Sequence, residues 1–108
     1  MTSVTITYEE KPDRQCYSLE AYGHAEYSDS EDIVCAAVSM LTFCLAGRLE
    51  HIADKFTSDL NDGDAFIGYT NEGPADLRVR YAFETIQAGF ELLGERYPGH
   101  VSVDVMLQ

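Results

Sequence analysis

Basic residues are scarce in this chain. Lysine and arginine together number 7 against 19 aspartates and glutamates, for a formal net charge of -12 over 108 residues. Contacts to phosphate rely on Lys and Arg, so direct binding to a nucleic-acid backbone is not expected. The same sign disfavours an anionic membrane surface, whereas a basic protein partner is electrostatically easy. Cysteine is scarce too: Cys16, Cys35 and Cys44 make an odd number, with no CxxC pair. That argues against a disulfide framework and against a compact zinc site. No metal and no cofactor are expected. No unbroken apolar run approaches the roughly eighteen residues of a membrane span. The opening MTSVTITYEE lacks the basic and then apolar pattern of a signal peptide, so a cytoplasmic location is expected. Repeats, linkers and low-complexity tracts are missing as well. What remains is an apolar fraction of 45%, which suits one globular domain, residues 1–108, around one core.

Hydropathy patterning divides that domain into short elements. Val4, Ile6 and Tyr8 alternate with Thr5 and Thr7, the pattern of a half-buried strand. A polar turn over residues 9–15 leads to a second alternating run, 16–23, and the two together predict a hairpin. Residues 28–32 hold helix-capping candidates: Ser28 with Glu31 fits a capping box, and Ser30 or Asp32 fits the cap position equally. From Ile33 apolar residues recur at helical spacing to about residue 53. Ala36, Met40, Phe43 and Cys44 fill the other faces, so this helix should be buried almost all round, with Cys44 in the core. Residues 55–64 read as a polar connection with an Asn61-Asp62-Gly63 turn. Runs 65–70 and 77–81 read as strands joined by the loop Asn71-Glu72-Gly73-Pro74. A second helix is expected from residue 82 or 83 to about 97, ended by Pro98-Gly99, and a last strand from Val101. The order β-β-α-β-β-α-β predicts an α+β fold with two helices packed on a mainly antiparallel sheet.

Residues 23–39, GHAEYSDSEDIVCAAVS, hold the chemistry. Free cysteine is usually a buried structural residue. Cys35, however, falls at the third helical position if Asp32 is the cap, and unpaired N–H groups in a first helical turn favour a thiolate. The same amides are placed to form an oxyanion hole. His24 ends the second strand, one short loop away, where a base for a thiol nucleophile is needed. Gly23 lets the chain bend or a peptide approach. Asp32 is either a helix cap or an acidic group orienting a partner. Ser39 shares a helical face with Cys35, within reach of the sulfur or of the Cys35 carbonyl. On the residues alone, a structural cysteine and a His24–Cys35 dyad both stay open.

The segment resembles the signature of the ribosomal-processing cysteine proteases, the Prp family. Gly23-His24-Ala25 matches its first block, and Asp32-Ile33-Val34-Cys35-Ala36-Ala37 with Val38 and Ser39 its second. Gly89, Tyr97-Pro98 and the strand from Val101 add weaker support. The resemblance implies Cys35 as nucleophile and His24 as general base, with Gly23, Asp32 and Ser39 in the site. It also implies an α+β homodimer acting on the precursor of a large-subunit ribosomal protein, from which a short N-terminal extension is removed. The acidic charge suits that basic substrate, and Tyr22 and Tyr27 are candidate aromatic linings for its side chains. The match departs from the family pattern in residues 25–31, AEYSDSE, which contain no glycine and are one residue shorter. The competing expectation is a non-catalytic acidic protein that binds a basic ribosomal protein, with Cys35 in the core.

Overall fold

The computed structural model describes residues 1–29 and 32–108. Strands β1 (Thr2–Lys11) and β2 (Arg14–Tyr22) form the expected hairpin, with Ile6 opposite Leu19 and Tyr8 opposite Tyr17. Helix α1 (Ile33–Ile52) follows, then β3 (Phe56–Asn61), β4 (Asp64–Glu72), α2 (Leu77–Arg96) and β5 (Val101–Leu107). The sheet order is β3-β4-β2-β1-β5. β5 lies parallel to β1, and every other pairing is antiparallel. Alternation places Val4, Ile6, Tyr8, Leu19 and Ile67 on one buried face. Both helices cover it, α1 through Leu45 and Leu49, α2 through Val79, Phe83 and Phe90. The α+β class and the element order are those read from the sequence.

Two segments differ from expectation. Residues 56–61, read as a polar connection, are a strand: β3 lies at the sheet edge, where only Phe56 and Leu60 are partly covered, and its polar residues Thr57, Ser58 and Asp59 face solvent. Edge strands carry such polarity without cost. The Asn61-Asp62-Gly63 signal is therefore the β3–β4 hairpin turn, with Asn61 paired to Asp64 and Gly63 at φ 75°, a conformation that glycine adopts freely. Residues 77–81, read as a strand, are the first turns of α2. Leu77, Val79 and Tyr81 alternate over too short a window to separate the two periods. Asp76 settles the matter by capping the helix, its carboxylate accepting from the Arg78 N–H. Val79 then joins Phe83, Ile86 and Phe90 in one buried stripe. Asn71-Glu72-Gly73-Pro74 is accordingly a strand-to-helix connection.

Helix α1 is less enclosed than expected. Its buried residues are Val34, Thr42, Leu45, Ala46 and Leu49, and Leu41 meets α2 at Gly89. Met40 and Phe43 are more than half exposed, and Cys44 is exposed as well, not core. The sheet covers only one face of α1 and α2 only part of another, which leaves this stripe uncovered. By length and composition alone α1 would suffice to cross a bilayer. Counting unbroken apolar runs misses this, because Ser39, Thr42 and Gly47 interrupt them.

Proline substitution distinguishes the helix at 77–81 from a strand. Leu77 is the first helical residue, and the preceding Asp76 is already extended at φ -89°, ψ 105°, which suits a residue before proline. Leu77→Pro should therefore change unfolding free energy in urea by no more than about 0.5 kcal/mol. Tyr81→Pro should cost about 3 kcal/mol or more.

Candidate active site

The chain leaves β2 through Gly23, whose φ of 96° is one that side-chain-bearing residues rarely adopt. A Cβ there would also lie 2.5 Å from the Met1 carbonyl oxygen. Two hydrogen bonds hold the bend: the Gly23 N–H donates to the Gly63 carbonyl at 2.8 Å, and the Thr2 hydroxyl donates to the Gly23 carbonyl at 3.3 Å. His24 follows. Its side chain is 56% exposed and its Nδ1 lies 4.0 Å from Oδ1 of Asp62. The ring rests over Gly63, where a Cβ would come within 2.7 Å of Nε2.

Ala25 is fully buried. Its N–H donates to the Cys35 sulfur at 3.3 Å, and its carbonyl lies 2.9 Å from Nδ1 of His100. Asp32 is the N-cap of α1. Oδ1 accepts from the N–H groups of Val34 at 3.0 Å and Cys35 at 2.9 Å, while Oδ2 accepts from Tyr27 at 2.9 Å and Ser28 at 3.4 Å. These donors, the Cys35 N–H foremost, hold the Asp32 carboxyl below the ordinary carboxylate range. Of the other capping candidates, Ser30 and Glu31 lie outside the described residues, and Ser28 acts as a donor to Asp32 rather than as the cap.

His24 and Cys35 line one cavity of about 200 Å³, together with Ser39, Phe43, Asp62 and Gly63. The topology thus brings the two sequence candidates to one place. A larger concavity, about 660 Å³, lies over the helix-free side of the sheet beside Phe66 and Gly68, and no histidine lines it.

Several expectations change. The α1 amides do not form an open oxyanion hole: Val34 and Cys35 donate to the Asp32 carboxylate and Ala36 to the Asp32 carbonyl. The amide aimed at the sulfur is that of Ala25. Among the described residues, the Ser39 hydroxyl bonds neither the sulfur nor the Cys35 carbonyl. The Ser39 carbonyl instead accepts from Thr42. Tyr22 is 65% exposed and stands outside the cavity wall. So does Tyr27, whose ring packs edge-on against Tyr97 and His100, at 5.3 and 5.4 Å between centroids. Phe43 is the aromatic in the wall. Asp62, Gly63 and His100 escaped the sequence reading. The turn at 61–63 was visible, but nothing in its spacing ties it to His24, and His100 offered only a position after a Pro-Gly turn.

A sulfur with an N–H donor beside an imidazole is equipped for nucleophilic attack on a carbonyl. The Asp62 side chain beside the ring is 97% exposed, and an exposed pair of this kind contributes little. Gly63 should matter more, because ring and Cβ cannot share the space. Gly63→Ala is expected to displace the His24 imidazole, seen as a shifted Cε1–H resonance, and to slow iodoacetamide alkylation of Cys35 several-fold, with exposed Cys44 as the internal control. Asp32 supplies a pH test. Its carboxyl is depressed in the folded state, so the cap is fully effective above the ordinary pKa of about 4. The cap is lost as pH falls through the lower folded value. Exchange protection of the Val34 and Cys35 amides should collapse in that acid range in the wild type and stay level in Asp32→Asn, which keeps one acceptor and cannot titrate.

The sequence matches the family described as Cysteine protease Prp over residues 1–102. Three crystal structures are similar in fold. SMU.848 from Streptococcus mutans is 30% identical, with 100% of this chain and 96% of that one covered and a TM-score of 0.70. An essential ribosomal processing protease Prp from S. aureus, in complex with a covalently linked product peptide, is 19% identical, with 97% and 99% covered and a TM-score of 0.79. The same S. aureus protease in complex with a substrate peptide is 18% identical, with 97% and 99% covered and a TM-score of 0.72. No curated protein matches the sequence at a significant level. A match running from the start of β1 into β5 takes in every element that builds the cavity, and the chain belongs to the cysteine protease Prp family.

Proposed function

We propose that this protein is a cysteine endopeptidase that removes the N-terminal extension from the precursor of a large-subunit ribosomal protein during ribosome assembly. The observation that carries this reading is the Cys35 sulfur, held by the Ala25 N–H in a cavity it shares with His24. A core cysteine, as a binding-only protein would have, does not line a cavity with a histidine. The S. aureus relatives named as ribosomal processing proteases, with peptides bound, support the substrate class. So does the charge of -12, which suits a basic ribosomal protein and disfavours direct contact with nucleic acid or an anionic membrane.

In the proposed mechanism His24 takes the Cys35 proton and the thiolate attacks the scissile carbonyl carbon. The C–S bond forms as the carbonyl π pair moves to oxygen. The oxyanion collapses, the C–N bond breaks, and protonated His24 gives its proton to the leaving amine. Water, deprotonated by His24, then hydrolyses the thioester. In the free protein the ring rests on Gly63 and is not hydrogen-bonded to the sulfur. Such bonds often tighten only with substrate, and an exposed side chain changes rotamer rapidly. Gly23 and Asp32 hold the backbone of the two reacting residues, and Ser39 lines the wall beside the thiol. The setting is the cytoplasm, and the working form is a homodimer that covers the exposed α1 residues Met40 and Phe43.

Incubation with the tagged ribosomal precursor of its own organism should yield a product shortened at the N-terminus, read by mass spectrometry. Cys35→Ala should abolish cleavage while still binding the precursor, and His24→Ala should lower kcat by about a hundredfold or more. Cleavage at the wild-type rate by Cys35→Ala would overturn the mechanism. Sedimentation at micromolar concentration should give the mass of two chains.

A further inference from the structure

The loop after His24 contains no glycine, yet it makes a turn that glycine would ordinarily take. Glu26 sits at φ 55°, and it is the only residue other than glycine at positive φ among those described. That conformation costs a side-chain-bearing residue free energy and persists only where surroundings enforce it. The Tyr27 N–H after Glu26 is held by Asp32, the Met1 amino group lies 3.8 Å from Oε2 of Glu26, and the peptide group before Glu26 is held by His100. Its Nδ1 lies 2.9 Å from the Ala25 carbonyl oxygen, which belongs to the peptide group leading into Glu26. A carbonyl only accepts, so Nδ1 carries the proton. His100 is itself fixed from both sides of its backbone: its N–H donates to the Tyr97 carbonyl at 3.1 Å, and its carbonyl accepts from the Thr2 N–H at 3.0 Å. Its ring is braced by Tyr27, which also packs on Tyr97.

The two peptide groups of Ala25 are thus held by different partners, one N–H on the Cys35 sulfur and one carbonyl on His100. Rotation about the Ala25–Glu26 bond region would relieve the positive φ and take the carbonyl away from His100. The buried Ala25 methyl would then be free to shift, and the N–H with it. We infer that His100 is a positioning residue for the nucleophile: through the Ala25 carbonyl it holds the left-handed turn at Glu26 and so keeps the Ala25 N–H on the Cys35 sulfur. This rests on the proteolytic role of Cys35 proposed above. It assigns no proton transfer to His100, which faces a carbonyl and not the thiol.

Three variants test it, and the backbone bonds of residue 100 survive in all of them. His100→Phe keeps a ring for Tyr27 but loses the donor, His100→Ala loses both, and His100→Asn retains an N–H donor at nearly the same reach. In the Phe and Ala variants kcat for precursor cleavage should fall about tenfold, the scale of one neutral hydrogen bond, with KM within about twofold. His100→Asn should recover most of the loss. Exchange protection of the Ala25 amide and alkylation of Cys35 at fixed pH should follow the same order, and neither needs a substrate. They judge the inference even if the precursor is not cleaved, an outcome that would count against the proposed function alone. Wild-type alkylation and Ala25 protection in His100→Phe would overturn the inference. Equal losses in His100→Phe and His100→Asn would overturn it too, because they would show that the donor is not what matters.

Discussion

The carboxylate of Asp32 has both oxygens engaged. One accepts from the first amides of α1 and the other from the loop that descends from His24. A helix start needs an acceptor for its free N–H groups, and a loop of polar residues needs a tether. The same group meets both needs, which sets the distance between the loop and Cys35. Its depressed pKa is the electrostatic trace of that double use. With the Val34 and Cys35 amides used this way, the N–H that reaches the Cys35 sulfur is that of Ala25, on the strand side of the cavity.

The histidine depends on a different constraint, the register of the sheet. Tyr22 pairs with Asp64 across β2 and β4, so the β3–β4 turn stands beside the end of β2. Gly23 then bonds Gly63 through the backbone, and the His24 ring lies on the one residue whose lack of a side chain leaves space for it. Sterics outweigh electrostatics here. The exposed Asp62 contributes little, whereas a single Cβ at Gly63 would overlap the ring. At the far end of the same strands the core is closed by packed aromatics, Tyr8, Tyr17, Tyr69 and Phe83, with Arg80 3.9 Å above the Tyr8 ring. Burial pushes the Tyr8 hydroxyl up to about 12, so it serves as a neutral donor to Gln87. The aromatic cluster and the cavity shared by His24 and Cys35 therefore lie at opposite ends of one sheet.

Much of the fold was legible where burial is one-sided and the period unambiguous. Val4-Ile6-Tyr8 and Tyr17-Leu19-Ala21 alternate because one face of the hairpin meets the helices. The run from Ile33 is long enough for only one period to fit. Residues 56–61 failed because an edge strand buries too little to leave a pattern. Residues 77–81 failed because five residues satisfy a strand and a helix alike, and the cap at Asp76 carried the decisive information. Cys44 was misplaced because apolar composition does not say which face of a helix finds a partner.

By itself the sequence determined the α+β class, the candidate pair His24 and Cys35, and their separation by a loop holding several capping candidates, from which the structure selects Asp32. These are local matters, governed by periodicity, capping and the short reach between positions 24 and 35. Which amide points at the sulfur, which turn supports the histidine and which residues hold Glu26 in a left-handed turn were decided only by the tertiary structure. His100 is seventy-five residues from Ala25, and Gly63 meets His24 only through sheet register. Contacts of that range depend on how strands pair and where helices land, and no spacing along the chain encodes them.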